Sequence, residues 1–130
     1  VSHSEKNQHH TQTLHLLQIW VVPNQENTEP RYQQVRLDNT LEVVQIASPN
    51  EGEGLMHIKQ DAAIYRLKFE SGKTIKLPHQ RPYGYLHIIS GQGSVQDINL
   101  NSGDALISKD ESALEFRAHS TGEALWFDLV

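Results

Sequence analysis

Apolar and polar residues alternate along most of the chain with the period of a β-strand. In the stretch "ALEFRA", Leu114 and Phe116 fall on one side, while Glu115 and Arg117 fall on the other. A period of two is typical of a strand with one buried face, and the three-four spacing of an amphipathic helix is hard to find. The pattern predicts strands in residues 14–22, 31–37, 41–48, 54–61, 62–70, 73–78, 83–90, 93–100, 104–110, 113–119 and 123–130.

Turn signals separate these predicted strands. The stretches "SPNEGEG", "ESGK", "SGQGS", "NSGD" and "STGE" combine glycine with serine, asparagine or acidic residues, which tolerate turn conformations. They recur at about the eight-to-twelve-residue spacing of a β-sandwich or β-barrel. The fold class predicted is therefore all-β. The polar, proline-bracketed stretch 23–30 is the best candidate for a connection between two packed units.

Charge and composition exclude several classes of function. The 130 residues carry a net charge of −5 and contain no cysteine. A surface for nucleic acid needs clustered Lys and Arg, and no such cluster exists, so we expect no direct nucleic-acid partner. Any metal must be held by His, Asp or Glu. No apolar run is long enough to span a bilayer, so we expect no membrane partner and a cytoplasmic location.

The order of several short motifs resembles one known family. The stretches "HSE" at 3–5, "LHLLQIWVVP" at 14–23, "PRYQQ" at 30–34, "IKQDAAIYR" at 58–66 and "LWFDL" at 125–129 follow one another as in the carboxy-terminal portion of pirin and the pirin-like quercetin 2,3-dioxygenases. The glycine turns of the second half are similar to those of a cupin, a small jelly-roll-like barrel. The resemblance covers essentially the whole chain and implies a cupin fold.

Proteins of that family contain two cupins, so the resemblance implies that an amino-terminal cupin half is missing. We expect residues 1–35 to be the tail of that cupin and a crossover, and residues 36–130 to be the carboxy-terminal cupin. In the family the amino-terminal cupin holds a metal through His-x-His and a later His-x-Glu. His3 and Glu5 match the later pair, whereas the earlier pair has no counterpart here.

His3 and Glu5 are therefore the candidate metal ligands, and Glu5 is also the candidate catalytic residue. Side chains at i and i+2 of a strand share a face, so both could reach one ion. Iron is the first choice, and nickel, zinc, manganese and copper are alternatives. The competing interpretation is a polar terminus, because two ligands rarely hold a metal and terminal residues order poorly. His9, His10 and His15 are interpreted as loop or structural histidines.

The carboxy-terminal cupin is expected to bind no metal of its own. Counting from Gly72 with the spacing of a metal-bearing cupin, the two histidine positions fall on Pro78 and Gln80, with His79 between them. The glutamate position falls on Gly84 or Tyr85. The glycines that shape the turns are thus present, while the ligands are replaced.

Three functions remain open at this point. The resemblance implies that the intact protein is a metal-dependent dioxygenase that opens flavonols such as quercetin with O₂, with this piece inactive alone. The alternatives are a pirin-like regulatory or protein-interaction module and a purely structural cupin. We also predict that the isolated piece forms a homo-oligomer by strand exchange, because unpaired apolar strands template association. The residues involved would be Leu14, Leu16, Ile19 and Trp20.

Overall fold

The computed structural model describes residues 3–111 and 113–130. Within these residues the chain forms ten β-strands and no helix, and hence no helix able to span a membrane. The all-β prediction is confirmed. The strands are β1 (Val43–Ser48), β2 (Met56–His57), β3 (Ala62–Phe69), β4 (Thr74–Lys76), β5 (Tyr83–Ser90), β6 (Gln92–Val95), β7 (Ile98–Asn101), β8 (Ala105–Lys109), β9 (Glu115–Ala118) and β10 (Gly122–Leu129).

The strands form two sheets. The first has six strands in the order β2-β1-β3-β10-β5-β8, and the second has four in the order β4-β9-β6-β7. All pairs are antiparallel except β1 with β2. Strand β10 is central, since it pairs along its whole length with β3 on one side and β5 on the other. The last strand of the chain therefore joins β2, β1 and β3 to β5 and β8 in the larger sheet.

The main core lies between the two sheets and follows the period of two. On β10, Ala124 and Trp126 are completely buried in this core, and Phe69 packs on Phe116 with ring centroids 4.8 Å apart. Such interior packing is the main source of stability in a domain of this size. The other buried members of the core are Leu67, Ile75, Leu77, Leu86, Ile88, Val95, Leu100, Leu114 and Ala118.

The other side of the six-stranded sheet is also apolar, and we call it the outer face. Leu125 and Phe127 alternate with the core residues of β10, and they form a second cluster with Ala47 and Ile64. Tyr85 packs edge-on against Phe127, with ring centroids 5.6 Å apart. An antiparallel sheet with one solvated face usually carries polar residues on that face. The apolar residues of the outer face therefore indicate a surface that is covered by another part of the protein or by a partner.

The prediction of strands in residues 14–22 and 31–37 is wrong. Both stretches run without joining either sheet. A strand is stabilised by a hydrogen-bonded ladder with a neighbour, and alternation of residue types does not supply that neighbour. The predicted strand 54–61 likewise shortens to Met56–His57. We call residues 14–33 the amino-terminal segment.

Candidate functional site

The two predicted metal ligands lie near each other on an exposed stretch of chain. His3 Nε2 is 3.8 Å from Glu5 Oε1, and both side chains are exposed to solvent. Among residues 3–111 and 113–130, no group of three or more His, Asp or Glu side chains converges as a metal site would. The structure thus brings the pair together without further ligands, and their role as metal ligands stays a prediction.

The remaining histidines are spread over the molecule. His9, His10 and His15 lie on exposed chain outside the sheets. His57 Nδ1 is 3.4 Å from Arg31 Nη1, and His119 Nε2 is 3.2 Å from the hydroxyl of Ser94. These positions agree with the interpretation of His9 and His10 as loop residues.

Four ionisable side chains lie together near the carboxyl end of β10, and we call them the Asp128 cluster: Asp61, His79, Arg81 and Asp128. Asp128 lies on the inward side of β10 and is completely buried. Its carboxylate accepts hydrogen bonds from the main-chain N–H groups of Gln80 and Arg81 at 3.1 Å each, and from Arg81 Nη1 at 2.9 Å. A buried carboxylate requires such donors, because an unpaired buried charge is very costly.

His79 and Arg81 both lie close to Asp128, but only Arg81 is hydrogen-bonded to it. His79 Nδ1 is 3.2 Å from Asp128 Oδ1 but is not aligned for a hydrogen bond. Arg81 reaches outward and donates from Nε to Asp61 Oδ1 at 2.8 Å, while its Nη2 lies 2.7 Å from the same oxygen. Burial opposes the charge of Arg81, but the hydrogen bonds to Asp61 and Asp128 prevail and raise its pKa. Arg81 therefore bridges a buried carboxylate and an exposed one.

The interior beside this cluster is filled by Trp126. Its indole N–H donates to the carbonyl of Pro78, and its ring lies 6.0 Å from that of His79, centroid to centroid. A Cβ atom added to Gly84 would fall 2.0 Å from the Trp126 ring and 2.4 Å from the Ser108 hydroxyl. The positions that would carry ligands in a metal-bearing cupin thus surround a packed tryptophan and a salt bridge.

Sequence reasoning missed this cluster, although one signal was present. Asp128 follows Ala124 and Trp126 at spacings of two, which puts a carboxylate on the buried side of an apolar strand. Its partners lie 47 and 48 residues away along the chain. Nothing local in the sequence connects them.

The amino-terminal segment is attached beside the outer face. The N–H of Asn24 donates to the carbonyl of Lys59 at 2.8 Å, and Gln60 Nε2 donates to the carbonyl of Val22 at 2.7 Å. Residues 17–21 line an apolar groove of about 380 Å³ against the outer face. The facing residues are Tyr85, His87, Leu125, Phe127 and Leu129.

Large apolar side chains remain uncovered around this groove. Trp20 is 82% exposed and Val22 is 77% exposed. Ile107 on the edge strand β8 is 76% exposed and stands beside Tyr85 on the outer face. Several such residues close together form the kind of apolar patch that usually marks an interaction surface.

The chain forms two sheets that enclose one core, and it superposes on an RmlC-like cupin protein of Desulfovibrio desulfuricans with a TM-score of 0.50 at 14% identity, covering 77% of this chain and 92% of that one, so the predicted fold class is confirmed. A family model described as the quercetinase C-terminal cupin domain matches residues 45–129. The chain therefore belongs to that family, as the resemblance indicated.

Individual relatives agree with this assignment. The chain is 32% identical over 132 residues to a quercetin 2,3-dioxygenase of Escherichia coli K12, covering 99% of this chain and 56% of the relative. YhhW from Escherichia coli superposes with a TM-score of 0.75 at 24% identity, covering 85% of this chain and 48% of that one. Its nickel(II) complex, described as a bacterial pirin, superposes with a TM-score of 0.73 at 23% identity, covering 82% and 47%. The chain spans about half the length of the relatives it matches.

Proposed function

We propose that this chain acts as the carboxy-terminal half of a two-cupin, metal-dependent dioxygenase that cleaves flavonols of the quercetin type. The observation that carries the proposal is the match of residues 45–129 to the quercetinase C-terminal cupin domain. The coverage of the relatives is consistent with a second domain that this chain does not contain. The barrel then serves as a scaffold, and the chemistry takes place at a metal held mainly by the other half.

His3 and Glu5 would supply two ligands of that metal. Imidazole and carboxylate suit iron and nickel, the ions that the proposal favours, and also zinc, manganese and copper. Both side chains are exposed and lie 3.8 Å apart, so they are available to an ion completed by ligands from outside this chain. The bound metal would act as a Lewis acid on the flavonol oxygens. Glu5 would also accept the proton of the flavonol hydroxyl.

The outer face would be the contact with the missing half. It is apolar, only partly covered by residues 17–21, and continuous with the exposed Trp20 and Val22. Covering it would bury surface that otherwise faces water. In the chain alone, we propose that the same surface, with Leu14, Leu16, Ile19 and Trp20, drives self-association. A sedimentation coefficient that is independent of concentration and fits a monomer would contradict this self-association.

The test of the ligand assignment uses a fusion. The amino-terminal half of the Escherichia coli relative is placed in frame before residue 3, and metal content and quercetin consumption are measured after dialysis. We expect about one metal per chain in the fusion, and loss of metal and turnover in the variants His3→Ala and Glu5→Gln. The matched control His9→Ala should retain both. Unchanged metal in His3→Ala would refute the assignment of that ligand.

A second function is favoured by the description of one structural neighbour as a pirin. In that case the intact protein would bind a metal and a protein partner without consuming flavonols. A fusion that holds metal stoichiometrically yet leaves quercetin untouched would support this alternative over the dioxygenase.

A further inference from the structure

The Asp128 cluster is connected to the loop that holds the amino-terminal segment. Asp128 is anchored inside the barrel, Arg81 pairs with it at 2.9 Å, and the same guanidinium pairs with Asp61 at 2.7 and 2.8 Å. Asp61 immediately precedes β3 and follows the loop residues Lys59 and Gln60. A charge buried in the core is thus joined by one side chain to a surface loop.

That loop makes two of the contacts of the amino-terminal segment. The Gln60 side chain accepts from the N–H of Asp61 at 2.8 Å and donates to the carbonyl of Val22 at 2.7 Å. The carbonyl of Lys59 accepts from the N–H of Asn24 at 2.8 Å. The conformation of this loop therefore determines whether the carbonyl of Val22 and the N–H of Asn24 can form their hydrogen bonds.

We propose that Arg81 is a positioning residue, which fixes the loop 58–61 through Asp61 and thereby holds the amino-terminal segment on the barrel. The planar guanidinium suits this task, because its fixed donors direct Nε toward Asp61 and Nη1 toward Asp128, which restricts orientation better than an ammonium group does. The anchor end is rigid, since Asp128 is held by main-chain N–H groups as well as by Arg81. The proposal concerns the chain itself and does not depend on the proposed function.

If Arg81 only stabilised the fold, hydrogen exchange would respond differently to weakening of its ion pairs. If the ion pairs only stabilise the barrel, weakening them would loosen all regions through global unfolding. If they position the segment, weakening the outer pair would loosen residues 22–24 while the core stays protected, because local opening needs less free energy than global unfolding.

Amide hydrogen exchange measured by NMR separates these two cases. The variant Asp61→Ala removes the exposed carboxylate that pairs with Arg81 and leaves the Arg81–Asp128 pair in place. We expect the amide of Asn24 to exchange about tenfold faster, as loss of a charge-assisted contact would produce. The amide of Ile88, a completely buried residue of β5 that donates to the carbonyl of Asp104 at 3.0 Å, should be unchanged. The matched control Glu115→Ala removes an exposed carboxylate from the four-stranded sheet and should leave both rates unchanged.

Two further variants test the direction of the effect. Arg81→Lys keeps the charge but loses the planar fork, and it should speed exchange of Asn24 less than Asp61→Ala does. Gln60→Met cuts the link to Val22 and should speed exchange of Asn24 while the amide of Gln80, bonded to Asp128, stays protected. Equal acceleration of the Asn24 and Ile88 amides in Asp61→Ala, or no acceleration of Asn24, would overturn the proposal.

Discussion

Replacement of Asp128 by asparagine tests whether the buried carboxylate holds residues 80 and 81 against β10. In the wild-type chain the two oxygens accept from two main-chain N–H groups and from Arg81 Nη1. Asparagine keeps one acceptor oxygen, but its NH₂ group would face one of these donors. The guanidinium of Arg81 would also lose its inner partner while remaining mostly buried.

The expected loss of stability is large for a domain of this size. Removing one partner of a buried ion pair costs about 3–5 kcal/mol. Because asparagine retains part of the hydrogen bonding, we expect the lower end, about 3 kcal/mol. With a urea dependence of about 2 kcal/mol per molar, the midpoint of unfolding would fall by about 1.5 M. Total stabilities of about 5–15 kcal/mol leave the variant folded but marginal.

The assay is equilibrium unfolding in urea followed by circular dichroism, with Glu115→Gln as the matched control. Glu115 is exposed on β9, so its substitution should change the free energy of unfolding by less than about 0.5 kcal/mol. A loss below about 1 kcal/mol in Asp128→Asn would show that solvent or rearrangement compensates for the carboxylate. An equal loss in the control would show that the effect is one of net charge.

Three other predictions follow from the interior. Gly84→Ala should destabilise the chain by about 1–3 kcal/mol or prevent folding, since its Cβ would lie 2.0 Å from the Trp126 ring; an unchanged urea midpoint would contradict this. Burial raises the pKa of Tyr65 above 10.0, and the charge of Asp128 raises it further. The contribution of the neutral phenol to stability should therefore be fully present below pH 10 and be lost as the pH rises through the folded pKa. In a titration followed at 295 nm, the absorbance should show a late component that Tyr65→Phe removes. Arg66 is 2% exposed; its Nη2 donates to the carbonyl of Asp38 and its Nη1 lies 3.8 Å from Glu123 Oε1, but Nε and Nη1 make no hydrogen bond among the residues that the structure describes. Because the desolvation of a buried, incompletely bonded guanidinium offsets these contacts, Arg66→Met should leave the urea midpoint unchanged or raise it; a clear fall would refute this reasoning.

Most strands of the two sheets were predictable from apolar stretches of strand length bounded by turn residues, and the period of two is clear on β9. The prediction of one strand over 93–100 is wrong, because this stretch folds back on itself as the β6–β7 hairpin. The stretch 62–70 became β3, and 123–130 became most of β10, and both strands are largely buried on both faces. Residues 14–22 show the same apolar character but form no strand, because pairing depends on a neighbour that the pattern does not specify. The residues of the Asp128 cluster could not be assembled from sequence either. Their contacts join β10 to a loop almost fifty positions earlier, and only the three-dimensional register brings them together.

The two faces of the six-stranded sheet place different demands on the rest of the protein. The inner face is buried within the chain, because the four-stranded sheet packs on it and Trp126 and the Asp128 cluster fill the remaining space. The outer face is not, because residues 17–21 cover only part of it. Full burial of a large apolar side chain gains about 1.5–3 kcal/mol, so covering Trp20, Val22 and Ile107 would together gain an amount comparable with the stability of a whole domain. A partner that covers the outer face would therefore stabilise the domain, and by contacting Trp20 and Val22 it would also hold the chain that leads to His3 and Glu5. On the proposed function, binding of such a partner and completion of the metal site would then belong to one binding equilibrium.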